Sequence, residues 1–559
     1  MQILHRMDVP NPSETIGLQI VSSVRRLQSQ QDPDPYSPTK GCLDRRYWAW
    51  KLVDYPEATF QRNVQPLAEL WADPQSQYYQ NTQLMKAVLT GLDYATTIQH
   101  DDGSFDQAFP QERSFGATGL LLYSLLKAHK LVRKHMDSEL KHRVENCLIL
   151  ASDFLCRRGE KHGLISNHIA GAALALYICG DYFGQSRFTK RADELLRDIV
   201  SSQSEEGWFP EYEGADPGYQ TLCLYYLVQI YRIMPTDVLK GALDRAVKFI
   251  AHFLHPDGSF GGEYGSRRTA LFYPGGLASL SKEFPMARSI IQAMCRSICK
   301  EHTITLYDID MGNLAPLLSN YVCLLQSNVV DEQEQVPLLP WEQSSVRQDF
   351  SEAGLYVRGT GSYYAILGVS NGGVLKVFDK QEQRVLWDDG GYVGKLGNGT
   401  LVTTQMTIPD RPCTVRDNDI VLVSKFYRVL HTLPTPLRFM LLRLLNLTLM
   451  QNVKLGNWAK RKLVRMLISG RREYELELQR KVSFEPVQVI VEDRISKSSK
   501  LEVRWLEFGR KFVGIHMASA RYSQYRSANQ VLSVPQIDTE ELNQQQHLAV
   551  RVVIEGSHA

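Results

Sequence analysis

Long apolar stretches alternate with amphipathic ones along the first part of the chain. Phe115 to Leu131, Ile169 to Cys179 and Tyr219 to Ile233 are apolar on nearly every face, which predicts helices buried all round. Asp237 to Leu254 instead sets Leu239, Leu243, Val247, Ile250 and Leu254 on one stripe, with Lys240, Asp244 and Lys248 off it, as an outer helix requires. Six short loops punctuate these segments: Gly41-Cys-Leu-Asp, Asp102-Gly-Ser-Phe, His162-Gly-Leu-Ile, Glu206-Gly-Trp-Phe, Asp257-Gly-Ser-Phe and Met311-Gly-Asn-Leu. Their glycines lie 62, 60, 44, 51 and 54 residues apart. A recurrence of roughly 50 residues means stacked supersecondary units. The pattern predicts an inner ring of buried helices and an outer ring of amphipathic ones, an (α/α)6 toroid over residues 1–328. A plain helical bundle is the competing fold, and the recurrent Gly-aromatic loops argue against it.

Residues 329–350 read as a linker, with Asp331, Glu332, Glu334, separated prolines and Trp341. Short β-rich runs follow at Leu355 to Val357, Tyr363 to Val369 and Val374 to Phe378, with Asn371-Gly372-Gly373 as a hairpin signal. Further runs at Ile420 to Tyr427, Tyr474 to Phe484, Val487 to Val491, Leu501 to Phe508 and Leu548 to Ile554 predict an antiparallel β-sandwich-like domain over residues 351–559. One segment interrupts it. Residues 429–472 hold nine basic residues, including Lys460, Arg461, Lys462 and Arg465, and no acidic one, set among Leu, Met and Phe. A basic amphipathic helical insertion of this kind either lies on an anionic membrane surface or glycan, or packs on the toroid with its arginines solvated.

Charge narrows the partners. In 559 residues, 63 basic side chains face 61 acidic ones, so no global field points to nucleic acid. The nine cysteines sit mostly inside apolar segments without a CxxC pair, and Met1 to Thr15 lacks the apolar run of an export signal; both lead to the expectation of a cytoplasmic protein, peripheral to the inner membrane if the insertion docks there. No phosphate-cradling loop, HExxH motif or dinucleotide fingerprint is present, and no cofactor is expected.

In a toroid the loops at one rim converge on a funnel, and the richest are Ser166-Asn167-His168, Glu211 to Tyr219 and Glu263 to Arg268. Removing the weakly acidic C5 proton of a uronate needs neutralisation of its carboxylate, a base, and an acid for the leaving oxygen. Asn167 can bind the carboxylate, His168 or Tyr219 can take the proton, and Tyr219 can protonate the leaving group. Glu211, Tyr212, Glu263, Tyr264, Arg267, Arg268 and Trp208 are the candidate substrate contacts, the arginines as bidentate partners of carboxylate or sulfate. Each has a plainer reading: Asn167 caps a helix, His168 is a hydrogen-bonded structural residue, Tyr219 packs, and Asp102 and Asp257 form turns.

With Asn167-His168 and Tyr219 at these places, the chain resembles the heparinase II/III-like polysaccharide lyases and their uronyl C5-epimerase relatives. That resemblance implies a toroid joined to an antiparallel β domain and a uronate polysaccharide as substrate, while the expected cytoplasmic location points to a nascent or lipid-linked glycan. It also implies a further His from the β domain, for which His431 and His516 are candidates, and it allows a structural metal ion there that the spacing of His431, His516 and His547 does not demand. A cytoplasmic member would modify a glycan during its biosynthesis. Two other functions fit the same fold. An inverting glycoside hydrolase would use a pair of acids drawn from Asp106, Glu112, Glu211, Glu213 and Glu263. A non-catalytic glycan-binding or assembly factor would stack sugars on Trp48, Trp50, Trp208 and Phe260. A terpene-cyclase-like toroid is disfavoured by the absence of an Asp-rich motif.

Overall fold

The computed structural model describes residues 11–160, 164–212, 214–330, 335–429, 433, 435–451, 455–456, 458, 472–509, 512 and 535–557. The His162-Gly163 loop, Asp331, Glu332 and Glu334 of the linker, Glu213, His431, His516 and the basic run Lys460 to Arg465 lie outside them.

Helices α1 (Pro12–Gln28), α2 (Arg45–Trp48), α3 (Val64–Ala72), α4 (Thr82–Thr97), α5 (Phe115–Val132), α6 (Ser138–Arg157), α7 (Ser166–Phe183), α8 (Ser186–Ser201), α9 (Pro217–Ile233), α10 (Asp237–Ala251), α11 (Gly275–Leu280), α12 (Pro285–Cys299) and α13 (Met311–Gln326) build the first domain. Helix α3 packs on α5, α5 on α7, α7 on α9, α9 on α11, α11 on α13, and α13 back on α3, which closes an inner ring of six. Intervening helices return along the outside, each with one buried stripe, such as Phe188, Ala192, Leu195 and Ile199 of α8. The alternation read from the sequence is therefore the alternation of two rings. Because outer and inner helices alternate along the chain from α1 to α13, the six inner N-termini meet at one rim, where their partial positive charges favour anions.

The recurrent loops lead into that rim. Gly41, Gly103 and Gly207 all have φ near +90°. A Cβ there would lie 2.1, 2.0 and 2.3 Å from the carbonyl oxygens of Thr90, Leu150 and Arg245, on the outer helix of the same hairpin. A glutamine fastens each contact: the Nε2 groups of Gln31, Gln99 and Gln203 donate to Ala87 O, Cys147 O and Ala242 O at 2.8, 2.9 and 2.8 Å, and to their own loop glycine's carbonyl. Asp102 and Asp257 close their turns by accepting from the backbone N–H of Ser104 and Ser259. The repeat is thus structural.

Two short strands, β1 (Pro210–Glu211) and β2 (Gly214–Ala215), form a hairpin in the rim loop before α9. The second domain begins inside the expected linker, because Val346–Phe350 pairs as an edge strand: its first antiparallel sheet contains β3 (Val346–Phe350), β4 (Leu355–Gly359), β5 (Tyr363–Gly368), β6 (Val374–Asp379) and β7 (Arg384–Asp389). Strands β4 and β5 are buried at every position, because this sheet is covered on both faces. Val357, Tyr364 and Ile366 join the helical core, while Tyr363, Ala365 and Leu367 join the core shared with the second sheet. That second sheet contains β8 (Tyr392–Leu396), β9 (Leu401–Thr403), β10 (Cys413–Arg416), β11 (Asp419–Arg428), β12 (Glu473–Phe484), β13 (Gln488–Lys497), β14 (Val503–Phe508) and β15 (His547–Glu555). In β12 buried Leu476, Leu478, Arg480, Val482 and Phe484 alternate with more exposed residues, the signature of one solvated face. Between β11 and β12 lies helix α14 (Pro436–Leu447), within the expected insertion. A last helix, α15 (Thr539–Gln545), precedes β15.

The domains lock at the hairpin Asn371-Gly372-Gly373. Asn371 Nδ2 donates to the carbonyls of Glu263, Tyr264 and Gly265 at 3.2, 2.7 and 2.8 Å, and Asn371 Oδ1 accepts from Thr407 Oγ1 at 2.6 Å. Tyr364 OH donates to His252 O at 2.7 Å.

Candidate active site

The rim loop before α7 pairs with the loop before α9: Ile165 bridges Glu211, and Tyr212 N–H donates to Leu164 O at 3.0 Å. This pairing carries the Glu211 carboxylate under the first turn of α7. The residue preceding α7, Ile165, has no side chain to cap the helix. Glu211 does so instead, accepting from Asn167 N–H at 3.1 Å and from Asn167 Nδ2 at 2.9 and 3.0 Å through its two oxygens. Asn167 is therefore the capped residue, not the cap. Burial pushes the Glu211 carboxyl up to about 7, against the Asn167 bonds and nearby His168 that favour the anion.

His168 is half-buried, and its Nδ1 lies 3.2 Å from Glu160 Oε2. Its ring occupies space that a side chain at residue 116 would fill: a Cβ on Gly116, at the start of α5, would be 2.3 Å from His168 Nδ1. Tyr212 is left-handed at φ +63°, and Arg267 stacks its guanidinium 3.9 Å from the Tyr212 ring centre. Tyr219 stands in the first turn of α9, its N–H donating to Asp216 Oδ1 at 3.0 Å. Buried Asp216 also accepts from Arg267 N–H at 2.9 Å, which ties the loop after α10 to the start of α9.

Arg62 was not singled out by any sequence motif. It lies in the 3-10 turn Ala58–Asn63 that leads into α3, hence at the same rim. Its Nη2 donates to Tyr226 OH at 3.2 Å, and the Tyr226 ring would contact a Cβ at Gly171, one turn below Asn167. Tyr273, just before α11, is held well above its ordinary range by burial and feels both Tyr219 and Arg62. Arg62 is 9% exposed and its Nε is unpartnered; among the described residues no carboxylate pairs with it.

Four expected substrate contacts sit elsewhere. Glu263 is buried and pairs with Lys376 of β6 at 2.7 Å, in a cluster with Asp388. Tyr264 is fully buried, its OH 2.8 Å from His255 Nε2. Arg268, at φ +57°, is buried and donates from Nη2 to Gln405 O at 3.0 Å. These three form the seam with the β domain rather than the funnel. Trp208 donates from Nε1 to Glu206 Oε2 at 3.0 Å, and the Glu206 carboxylate also receives the N–H groups of Glu352 and Ala353, so it too belongs to the junction. Of the β-domain histidines, only His547 is among the described residues, exposed at the start of β15. Among the described residues no cluster of metal-ligating side chains occurs.

With five parallel inner helices, α3 to α11, and their rim loops in view, the family comparison falls on this part of the chain. Residues 63–280 match the Ulvan lyase N-terminal domain. The match runs from the turn before α3 to the end of α11 and so contains Asn167, His168, Glu211 and Tyr219. The chain is similar in fold to the chondroitin AC lyase of Streptomyces coelicolor, solved with chondroitin sulphate, at a TM-score of 0.56 and 12% identity over 91% of this chain and 69% of that one. It is also similar to a Paenibacillus xanthan lyase, at a TM-score of 0.50 and 11% identity over 91% of this chain and 47% of that one, about half of that enzyme's length. No curated protein matches the sequence. The expected likeness to toroid polysaccharide lyases holds, and both domains share it.

Proposed function

We propose that the chain is a polysaccharide lyase that cleaves a uronate-containing glycan by abstracting the C5 proton. One observation carries this reading: at the rim where six helix N-termini meet, the turn before α3 and the first turns of α7 and α9 carry a buried guanidinium with no acid paired to it among the described residues, an imidazole backed by a carboxylate, and a phenol, and Tyr273 lies within electrostatic reach of both Arg62 and Tyr219. A nearly buried Arg62 without a counter-ion is costly, and a substrate carboxylate supplies one. Bound there, the uronate has its charge neutralised and its C5 proton acidified. His168, paired with Glu160, takes that proton, and Tyr219 delivers its own to the glycosidic oxygen. Because its amide nitrogen already binds Glu211, Asn167 positions the start of α7 instead of meeting the carboxylate alone. Arg267 over Tyr212 extends the anion-binding surface toward the next sugar.

C5 epimerisation shares the first step and omits bond cleavage; the lyase fold favours elimination. The hydrolase reading is weaker, because Asp106 is spent on the N–H groups of Gln111 and Arg113 and on His100, Glu112 on those of Gln107 and Ala108, and Glu263 on Lys376. The cytoplasmic, biosynthetic setting belongs to the same proposal, supported by cysteines that lie mostly inside apolar segments with no CxxC pair. The test is digestion of ulvan, chondroitin, heparan and alginate with the wild type, Arg62→Ala and Tyr219→Phe. Elimination gives an ultraviolet-absorbing unsaturated uronate that both variants fail to produce. Cleavage without that chromophore would replace the lyase with a hydrolase.

A further inference from the structure

Helix α14 turns an apolar face to solvent. Leu437, Met440, Leu441, Leu444 and Leu447 are all more than half exposed, and Asn446 is the buried residue of the helix. The helix is nonetheless fixed in place: Arg443 Nη2 donates to Asp54 Oδ1 at 2.7 Å, and the Arg443 guanidinium lies over Tyr55 and Phe439. The toroid loop that supplies this anchor exposes two large apolar residues of its own, Trp50 at 67% and Leu52 at 81%. Segments nearly four hundred residues apart in sequence thus meet at this anchor, and each carries exposed apolar residues that make up the patch.

We propose that this patch docks the protein on an anionic lipid bilayer, with α14 lying in the interface. Charge selects the occupant. The insertion around α14 carries nine basic residues and no acidic one over 429–472, which suits a surface of anionic headgroups. A second copy of the chain fits poorly, because a two-fold interface would set α14, which carries Arg438 and Arg443 and no acidic residue, against its own like-charged copy. Crossing the membrane is ruled out for this helix by length: 12 residues span about 18 Å at 1.5 Å each, against a hydrocarbon core of about 30 Å. Buried Asn446 and the Arg443 anchor on one side and the apolar row on the other are the arrangement of an interfacial helix. Docking here sets the toroid beside the membrane, within reach of a glycan still attached to lipid.

The experiment is co-sedimentation of the full chain with vesicles of phosphatidylcholine alone and of phosphatidylcholine mixed with phosphatidylglycerol, at low and high salt. Binding is expected on the mixed vesicles, weaker in high salt, and reduced roughly tenfold or more by the double variant L441E/L444E, since each introduced charge must leave the acyl boundary. Those side chains are exposed, so thermal unfolding of the variant should match the wild type. Equal recovery of wild type and variant with the mixed vesicles would overturn the proposal. So would a vesicle-free dimer, seen by light scattering, that the same variant dissolves.

Discussion

Glu211 caps the helix that carries Asn167, holding both the backbone N–H and the side-chain amide of that residue while almost completely buried. A carboxyl at a helix N-terminus is ordinarily favoured as the anion. Here the loss of water outweighs that preference and lifts the group to about 7. The rim therefore contains an acid that changes charge near neutrality beside the residues assigned to proton transfer.

Stability should register this titration. The folded pKa of about 7 is raised above the ordinary glutamate value of 4.5, so the contribution is fully present below about 4.5 and is lost as pH rises through about 7. The change is on the order of 3 kcal/mol, from 1.36 kcal/mol per unit. Urea unfolding of wild type and Glu211→Gln across that window should show a slope in the wild type that the variant lacks.

Catalysis should depend on His168 and Tyr219 without stability depending on them. His168→Ala and Tyr219→Phe are each expected to lower the elimination rate roughly 10²–10⁴-fold. Their melting temperatures should stay close to the wild type, because one side chain is half-exposed and the other loses only a hydroxyl.

Gly103 tests the structural reading of the repeat. Gly103→Ala places a methyl group against Leu150 O at a φ of +89°, and the backbone strain alone is worth about 1–3 kcal/mol. Thermal unfolding should fall by at least that amount. A neutral result would mean that the loop does not hold the hairpin.

The β domain has its own sensitive point in Arg480, fully buried between Asp389 at 2.5 Å and Asp493 at 2.7 Å. Arg480→Met leaves two buried carboxyls unpaired and is expected to cost about 3–5 kcal/mol. Replacement of all three by apolar residues of similar volume should recover much of it.

How much of this was legible in the sequence follows from the range of the interactions. The two rings showed because helix burial is written in a local period, and β5 and β6 showed because a sheet covered on both faces reads as a continuous apolar run. Strand β3 was read as part of the linker and β7 to β10 escaped notice: Arg347 and Asp349 in β3, and Arg384, Asp388 and Lys395 later, break the apolar pattern, and Asp388 is understood only with Lys376 opposite. Asn167, His168 and Glu211 were visible as rim residues, but the capping of one loop by another was not. Glu263, Tyr264 and Arg268 looked like funnel residues because Lys376 and Gln405, their neighbours across the seam, lie more than a hundred residues away. Arg62 carries no motif at all. Its signal is a buried cation without an acid, a property of three dimensions only.

The most direct test of the account is to incubate the protein with uronate polysaccharides in heavy water and follow the C5 position by NMR together with ultraviolet absorbance. The account predicts unsaturated uronate ends from the wild type, no C5 deuterium in His168→Ala, and loss of cleavage in Tyr219→Phe. Deuterium at C5 without cleavage by the wild type would make the protein an epimerase. Neither deuterium nor unsaturated product on any uronate would contradict proton abstraction at this rim.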